Sequence, residues 1–321
     1  MLNAQGPYTH FASSMSAQQQ IKITIEKNRA VFKARRFAIE LQHGDALPGL
    51  EKLRKGKADV VVTSPPYNIG IGYGAYDDTI SRTDYLAWLN RWADLVERAL
   101  GEDGSLFLNL GSKPKDPWVG LQAAMTVAGA QSIADLSGTL RFQLQNTFHW
   151  IKSISIDPQY VGQQHQLSEP LSVGHYKPIN SKRFVNDTHE YLFHFSKRGT
   201  VELDRLSVGV PYQDKSNTTR WRGAKNDVRC RGNCWFMPYE TIQIRADERP
   251  HPATFPVQLA EWSVRMHGLE RARLVVDPFL GLGSSAVACA QLGVSFLGFE
   301  IDREYYRGAV ARLEELFSAK E

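Results

Sequence analysis

Two short stretches of this chain combine residue types that can do chemistry with backbone that can hold them still. In Thr63-Ser64-Pro65-Pro66-Tyr67-Asn68 a hydroxyl, two consecutive prolines and an aromatic ring follow the apolar run 58–63. The prolines lock φ and leave the Ser64 and Pro65 carbonyls with few conformations and no neighbouring N–H to pair with. Those carbonyls become fixed acceptors. Together with the Ser64 hydroxyl they could hold an exocyclic amine by its hydrogens, while Tyr67 stacks on the ring that bears it. A diproline turn beside a core tyrosine is the plain alternative.

The second stretch is Asp277-Pro278-Phe279-Leu280-Gly281-Leu282-Gly283-Ser284-Ser285, which follows Leu274-Val275-Val276 and precedes a helical pattern. A strand, a glycine-rich turn and a helix N-terminus bring backbone close to a ligand and aim N–H groups at it, as in nucleotide sites. Glu300 closes the next strand, where an acidic side chain can accept from both ribose hydroxyls. Asp302 reads as the N-cap of the final helix. Gly281 to Ala286 also matches the GxGxxA dinucleotide pattern. Against a dehydrogenase, Asp-Pro-Phe separates strand from glycines and only 21 residues follow Glu300. The remaining strands must come earlier in the chain, so the nucleotide half is last and the order is permuted.

The elements that must position these stretches are legible as short apolar runs alternating with helical periodicity, the pattern of a largely parallel sheet flanked by helices. Candidate strands are 38–42, 58–63, 105–110, 144–151, 190–196, 272–277 and 295–300, seven in all. Tyr85, Leu89, Trp92, Val96 and Leu100 recur at helical spacing, and 255–267, 284–292 and 303–317 read as further amphipathic helices. Residues 154–186 and 198–250 fit neither period and read as long loops or a small insertion.

At 321 residues with 42% apolar and 22% charged composition, the chain can bury a sizeable core. Its apolar runs are far shorter than the roughly 20 residues of a membrane span. Residues 1–35 lack a secretory pattern and are expected to be a flexible, cytoplasmic N-terminus. Cys230, Cys234 and Cys289 cannot build a disulfide framework, and no second ligand pair follows Cys230 and Cys234, so no metal is assigned. The net charge of +4 is unevenly spread: Tyr176–Gly232 carries twelve Lys or Arg against six Asp or Glu. Interleaved with Tyr212 and Trp221, that excess suits phosphate and base contacts. The sequence predicts that it projects from the carboxyl edge of the sheet, on the side of Ser64 and Gly281.

Ser64-Pro65-Pro66-Tyr67 resembles the catalytic motif of the amino-methylating DNA methyltransferases, and Asp277-Pro278-Phe279 with Gly281 and Gly283 resembles their S-adenosylmethionine motif. Catalytic motif first and cofactor motif last is the order of the family's beta group. Gly104 to Asn109, Thr147 to Lys152, His189 to Leu192, Cys234-Trp235 and His251 to Pro256 agree, so the resemblance spans roughly 38–317. It implies a seven-stranded, circularly permuted Rossmann-like α/β methyltransferase fold with an inserted target-recognition region. The expected parts are a catalytic half at 36–197 including the loop 154–186, a recognition region at 198–250, and a cofactor half at 251–321.

The resemblance further implies catalytic Ser64, Pro65, Pro66 and Tyr67, with S-adenosyl-L-methionine held by Asp45, Thr254, Phe255, Asp277, Phe279, Gly281, Gly283, Ser284 and Glu300. Asp45 could equally be a turn or helix cap. Double-stranded DNA is the expected partner, contacted by Lys182, Arg183, Arg220, Trp221 and Arg222. A cognate restriction endonuclease is a further partner that the family admits, a membrane is not, and nothing in the residues sets an oligomeric state. Serine at position 64 points to N4 of a flipped cytosine; adenine N6 is the alternative. RNA or protein-glutamine methylation and a permuted NAD enzyme stand further off.

Overall fold

The structure, a computed structural model, describes residues 21–160, 168–174, 180–220, 227–238 and 254–318. In chain order the first half comprises β1 (Lys22–Glu26), β2 (Arg29–Lys33), β3 (Ala38–His43), α1 (Ala46–Lys52), β4 (Ala58–Thr63), α2 (Arg82–Ala99), β5 (Leu100–Leu110), α3 (Val119–Ala128) and β6 (Gln143–Ile151). The second half comprises β7 (Ile154–Ile156), β8 (Leu171–Val173), β9 (His189–Ser196), α4 (Asn217–Arg220), β10 (Cys234–Phe236), α5 (Val257–His267), β11 (Leu274–Asp277), α6 (Ser284–Leu292), β12 (Ser295–Glu300) and α7 (Arg303–Ser318). None of these helices is long and apolar enough to cross a membrane.

All seven strands expected from the sequence belong to one sheet with the order β1-β2-β3-β12-β11-β4-β5-β9-β6-β10. From β3 to β5 the neighbours run parallel, and β9 runs antiparallel to both β5 and β6. The permutation inferred from the motif order is thereby physical: Val275 and Val276 pair with Val60 and Val61, so the glycine-rich turn emerges beside the Ser-Pro-Pro-Tyr segment. Helices cover both faces. Tyr85, Leu89, Trp92 and Val96 of α2 bury one stripe with α1 and α3, and residues such as Leu259, Ala286, Ala309 and Leu313 of α5, α6 and α7 pack on the other face. Ser81 starts α2 by accepting from the Asp84 N–H at 3.1 Å.

Two expectations change. Residues 21–35 are a β-hairpin rather than a flexible arm: β1 pairs with β2, β2 pairs with β3, and alternate residues Ala30, Phe32 and Ala34 are buried. Period-two alternation sends Phe32 inward, where it stacks on Phe317 of α7 at 5.6 Å. Residues 1–20 lie outside the described residues. The sheet is also wider than the seven strands read from sequence, because this hairpin extends one edge and β10 extends the other.

A buried polar cluster lies at the amino edge of the central strands. Ser105 Oγ sits 3.0 Å from His194 Nε2 and 2.9 Å from His267 Nδ1, and Asn146 Nδ2 sits 3.2 Å from His194 Nδ1. Burial pushes the imidazoles down, His194 to about 3 and His267 to about 4. Both are therefore neutral in the folded protein at pH 5, whereas in the unfolded chain they are protonated. Proton uptake on unfolding makes stability fall as pH drops below about 6.5, by about 2 kcal/mol per histidine at pH 5. Urea unfolding of His267→Gln at pH 7 and pH 5 should show that pH difference shrinking by about 2 kcal/mol relative to wild type. An unchanged difference would mean that His267 is not held neutral.

Candidate active site

Three strand tips meet at the carboxyl edge of the sheet. Thr63 Oγ1, closing β4, donates to Asp277 Oδ1 at 2.7 Å. Ser285 Oγ in α6 donates to the other oxygen at 2.5 Å, and the Phe279 N–H donates to Oδ1 at 3.0 Å. Desolvation pushes this fully buried carboxyl up to about 6, while its three donors favour the ionised form. Asp277 is thus turned inward and does not line the adjoining cavity. It clamps the two motifs together, a different placement from the ligand contact that the resemblance implied. Gly283 also lies off the cavity wall. Its φ of 78° is left-handed, and an added Cβ would come within 3.0 Å of Ala309, so its missing side chain lets α7 close on the turn.

The other cofactor residues read from sequence come together. Asp45, Thr254, Phe255, Phe279, Gly281, Ser284 and Glu300 line one cavity, and Ser64 and Pro66 form part of the same wall. Asp45 serves both of its readings: it accepts from the Leu47 N–H at 2.9 Å as the N-cap of α1 while facing the cavity. Glu300 accepts from the Gly281 N–H at 2.7 Å and from the Asp302 N–H at 2.8 Å, one bond to each oxygen. Each oxygen keeps a second acceptor site for a ligand hydroxyl. Burial raises the Glu300 carboxyl to about 7. Asp302 caps α7 as expected, accepting from the Glu304 and Tyr305 N–H groups at 2.8 and 3.1 Å.

The chemistry of this wall discriminates between ligands. Its charged residues among those described are Asp45, Glu300 and Asp302, with no Lys, Arg or His. Four of the turn's N–H groups are also consumed: Phe279 by Asp277, Leu280 by the Phe299 carbonyl, Gly281 by Glu300 and Gly283 by the Leu280 carbonyl. A pyrophosphate needs such N–H groups free and no facing carboxylates. The wall instead suits a cationic, phosphate-free molecule with a diol. Two further polar atoms await a partner, since the buried hydroxyls of Thr254 and Tyr76, both on the cavity wall, have none in the structure.

Sequence reading missed the roof of the cavity. Tyr73, Tyr76, Trp88 and Tyr305 line it, with Trp88 against Phe279 at 5.5 Å and against Tyr76 at 5.7 Å. The loop that carries Tyr73 and Tyr76 is stapled by buried Asp78, whose carboxylate accepts from the N–H groups of Asn68, Ile69 and Ile71 at 2.8, 3.0 and 2.9 Å. Asn68 takes a left-handed φ of 57°, and its side chain donates to the Asp78 and Ile80 carbonyls. The run of Tyr, Asp and Gly after the diproline was the available signal, although without a partner in view it reads as a polar turn.

Beneath the roof, Ser64 Oγ lies 2.7 Å from the Tyr67 hydroxyl, which donates to Glu190 Oε2 at 3.0 Å. Asn109 Nδ2 donates to the Tyr67 oxygen at 2.5 Å and to Glu190 at 2.7 Å, and Lys152 Nζ pairs with Glu190 Oε1 at 3.1 Å. Tyr67 is only 7% exposed. The free ring face expected of it is largely covered here, and its hydroxyl is the engaged part. The sequence placed Glu190 only in a strand and gave it no site role: it is the second residue of β9, and only the antiparallel course of that strand brings its first residues to the carboxyl edge.

That course also corrects the expectation for the basic segment. The chain leaves β6 and enters β9 at the carboxyl edge, and Lys182 and Arg183, in the connection between the two strands, are exposed. By contrast β9 ends at the amino edge, and the segment after it starts there: Lys197 pairs with Glu97 and Glu102, and Arg198 with Glu102. Arg231 lies over Trp262 at 4.2 Å. Arg220 is exposed at the end of α4. Trp221 and Arg222 lie outside the described residues, as do His251 to Ala253.

The sequence profile of the N6/N4 family described as DNA methylase matches residues 58–311. Type II methyltransferase M.HpaI of Haemophilus parainfluenzae is 24% identical over 277 residues, 85% of this chain and 74% of its own. DNA adenine methyltransferase YhdJ of Escherichia coli K12 is 24% identical over 273 residues, 85% of this chain and 81% of its own. Among solved structures, the PvuII DNA methyltransferase described as cytosine-N4-specific superimposes with a TM-score of 0.55 at 20% identity, covering 87% of this chain and 90% of that one, a likeness in fold. With the profile spanning both the Ser-Pro-Pro-Tyr and the Asp-Pro-Phe segments, the chain belongs to the N6/N4 DNA methylase family.

Proposed function

We propose that this family member transfers a methyl group from S-adenosyl-L-methionine to the exocyclic N4 of a cytosine extruded from duplex DNA. The observation that carries the reading is the juxtaposition of Ser64 with a wall that bears Asp45, Glu300 and Asp302 and, among the described residues, no basic one. The family's cofactor is S-adenosyl-L-methionine, and the wall fits it: Glu300 has acceptor sites for a ribose diol, the carboxylates suit cationic centres, and the unpaired Thr254 and Tyr76 hydroxyls can serve its amino-acid end. That cofactor supplies an electrophilic methyl group on a cationic sulfur.

The chain's own residues must make a poor nucleophile competent. An amine conjugated to a pyrimidine has its lone pair delocalised into the ring. Ser64 Oγ and the rigid Pro65 carbonyl, accepting from its two N–H groups, favour a more tetrahedral nitrogen whose lone pair is free to attack. The diproline fixes the Pro65 carbonyl and the 2.7 Å contact with the Tyr67 hydroxyl holds Ser64 Oγ before substrate arrives, so little reorganisation is required. Serine at position 64, where adenine enzymes of this resemblance more often carry Asp or Asn, favours cytosine. We assign catalysis to 36–197 and cofactor binding to 251–321, with phosphate contacts from Lys182 and Arg183. Base reading by Arg220, Trp221 and Arg222 is the part of the sequence expectation that the start of their segment at the amino edge does not support.

Digestion of DNA methylated by the protein should yield N4-methylcytosine, resolved by nucleoside chromatography and mass spectrometry. Recovery of N6-methyladenine alone would overturn the base assignment and leave the family intact. Lys182→Ala and Arg183→Ala should weaken binding to all sequences alike, each lowering the slope of log affinity against log salt by about one unit. A sequence-dependent loss would instead mark them as base contacts.

Cofactor affinity should depend on pH through Glu300. Below about 7 this carboxyl is protonated, loses its attraction for a cation and gives up one acceptor site to its own proton. Affinity for S-adenosylmethionine should therefore rise about eightfold from pH 6 to pH 7.5 in calorimetric titrations, if only the ionised form binds. Glu300→Gln should bind more weakly and without that rise. A Glu300→Gln profile parallel to wild type would remove Glu300 from the cofactor site.

A further inference from the structure

We propose that Glu190 is the terminal acceptor for the proton that must leave the methylated amine, reached from Ser64 through the Tyr67 hydroxyl; the inference rests on the amino-methylation reading above. Methyl transfer forms the N–C bond with the nitrogen lone pair and breaks the C–S bond, whose electron pair stays on sulfur. The amine nitrogen becomes positively charged and has to lose a proton. Ser64 Oγ is the group that faces it from the cavity wall, yet a neutral serine can take that proton only by passing on its own.

The hydrogen-bond directions provide the route. Tyr67 has one hydroxyl proton and donates it to Glu190 Oε2 at 3.0 Å, so the 2.7 Å contact with Ser64 has Ser64 as donor. Every member of the chain thus already points its proton away from the substrate. When the amine proton moves to Ser64 Oγ, the Ser64 proton moves to Tyr67 and the Tyr67 proton to Glu190. Serine and tyrosine end unchanged and the carboxylate ends neutral.

Three features single out Glu190 for this end of the relay. Its side chain is mostly buried yet keeps 12% exposure, enough for a later release of the proton to water. Its second oxygen is held by Lys152 at 3.1 Å, which fixes the carboxylate toward Tyr67. Asn109, fully buried between Tyr67 and Glu190, donates to both and aligns them. Asn109 cannot itself accept the proton at neutral pH, so among the residues bonded to Tyr67 in this network Glu190 is the base.

The test compares Glu190→Gln, Tyr67→Phe and the double variant in single-turnover transfer of a labelled methyl group from S-adenosylmethionine to unmodified DNA of mixed sequence. Affinities for the cofactor and for DNA are measured alongside. Each single variant should slow transfer on the order of 10²-fold with both affinities within threefold of wild type, as loss of acid–base assistance does. The double variant should be no slower than either single one, because one broken link already opens the relay. Losses that multiply, or either single variant at the wild-type rate, would overturn the relay. Should Glu190→Gln fail to fold, Tyr67→Phe alone decides, since it keeps the ring and removes only the link. A wild-type protein that labels no DNA would sink the functional reading and this inference together, whereas labelling by wild type with undiminished Tyr67→Phe would sink this inference only.

Discussion

The site depends on one buried carboxyl, Asp277, and the three donors it gathers. Thr63 ends the strand that leads to the diproline, Phe279 lies in the glycine-rich turn and Ser285 sits in the helix after it; all three bond to this side chain within 3.0 Å. Burying a carboxylate is costly unless it is bonded, and hydrogen bonds to a charged group are worth about 1.5–3 kcal/mol each. One of the bonds of Asp277 reaches across 214 positions of sequence to Thr63, so the segment that would activate the amine and the segment that would hold the methyl donor share one fixed point. Breaking that point would leave a buried charge without partners and loosen both segments.

The cavity beside this clamp shows how the same strand-turn-helix geometry can be tuned against phosphate. A glycine-rich turn at a helix N-terminus ordinarily offers N–H groups to an anion. Here Asp277, Glu300 and two backbone carbonyls absorb four of them, and among the described residues the charges on the wall are all negative. The glycines are kept for close approach, as at Gly283 against Ala309, rather than for an anion cradle. This is why a GxGxxA match could not distinguish a dinucleotide site from this one.

Rigidity of the catalytic segment comes from its surroundings as well as its prolines. Asp78 gathers three N–H groups of the following loop, and Tyr85 donates to the Pro66 carbonyl at 2.9 Å. Arg82 ties Asn68 to Asp116, so the loops after β4 and β5 hold one another. Gly74 comes so close to Asp302 that a Cβ would lie 2.2 Å from its carboxylate, which seats the aromatic roof directly on the start of α7. Positions pre-set in this way need little reorganisation when charge develops, the condition under which fixed acceptors are most effective.

Sequence alone determined the two chemical segments, their permuted order and the seven strands that carry them. Those features are written locally: prolines restrict their own φ, glycines permit their own turn, and apolar periodicity marks one face of one element. Local signals also gave Glu300 and the Asp45 and Asp302 caps. What the tertiary structure decided is everything that depends on strand direction and on partners distant in the chain. The antiparallel course of β9 is invisible in an apolar run, yet it brings Glu190 to Tyr67 and sends Lys197 and Arg198 to the opposite edge, where they pair with glutamates. Asp277 read as a ligand because nothing near it in sequence revealed that Thr63 would supply a donor. The hairpin at 21–35 read as a tail because a short alternating segment is stable only against a sheet edge and a helix, both of which come later in the chain.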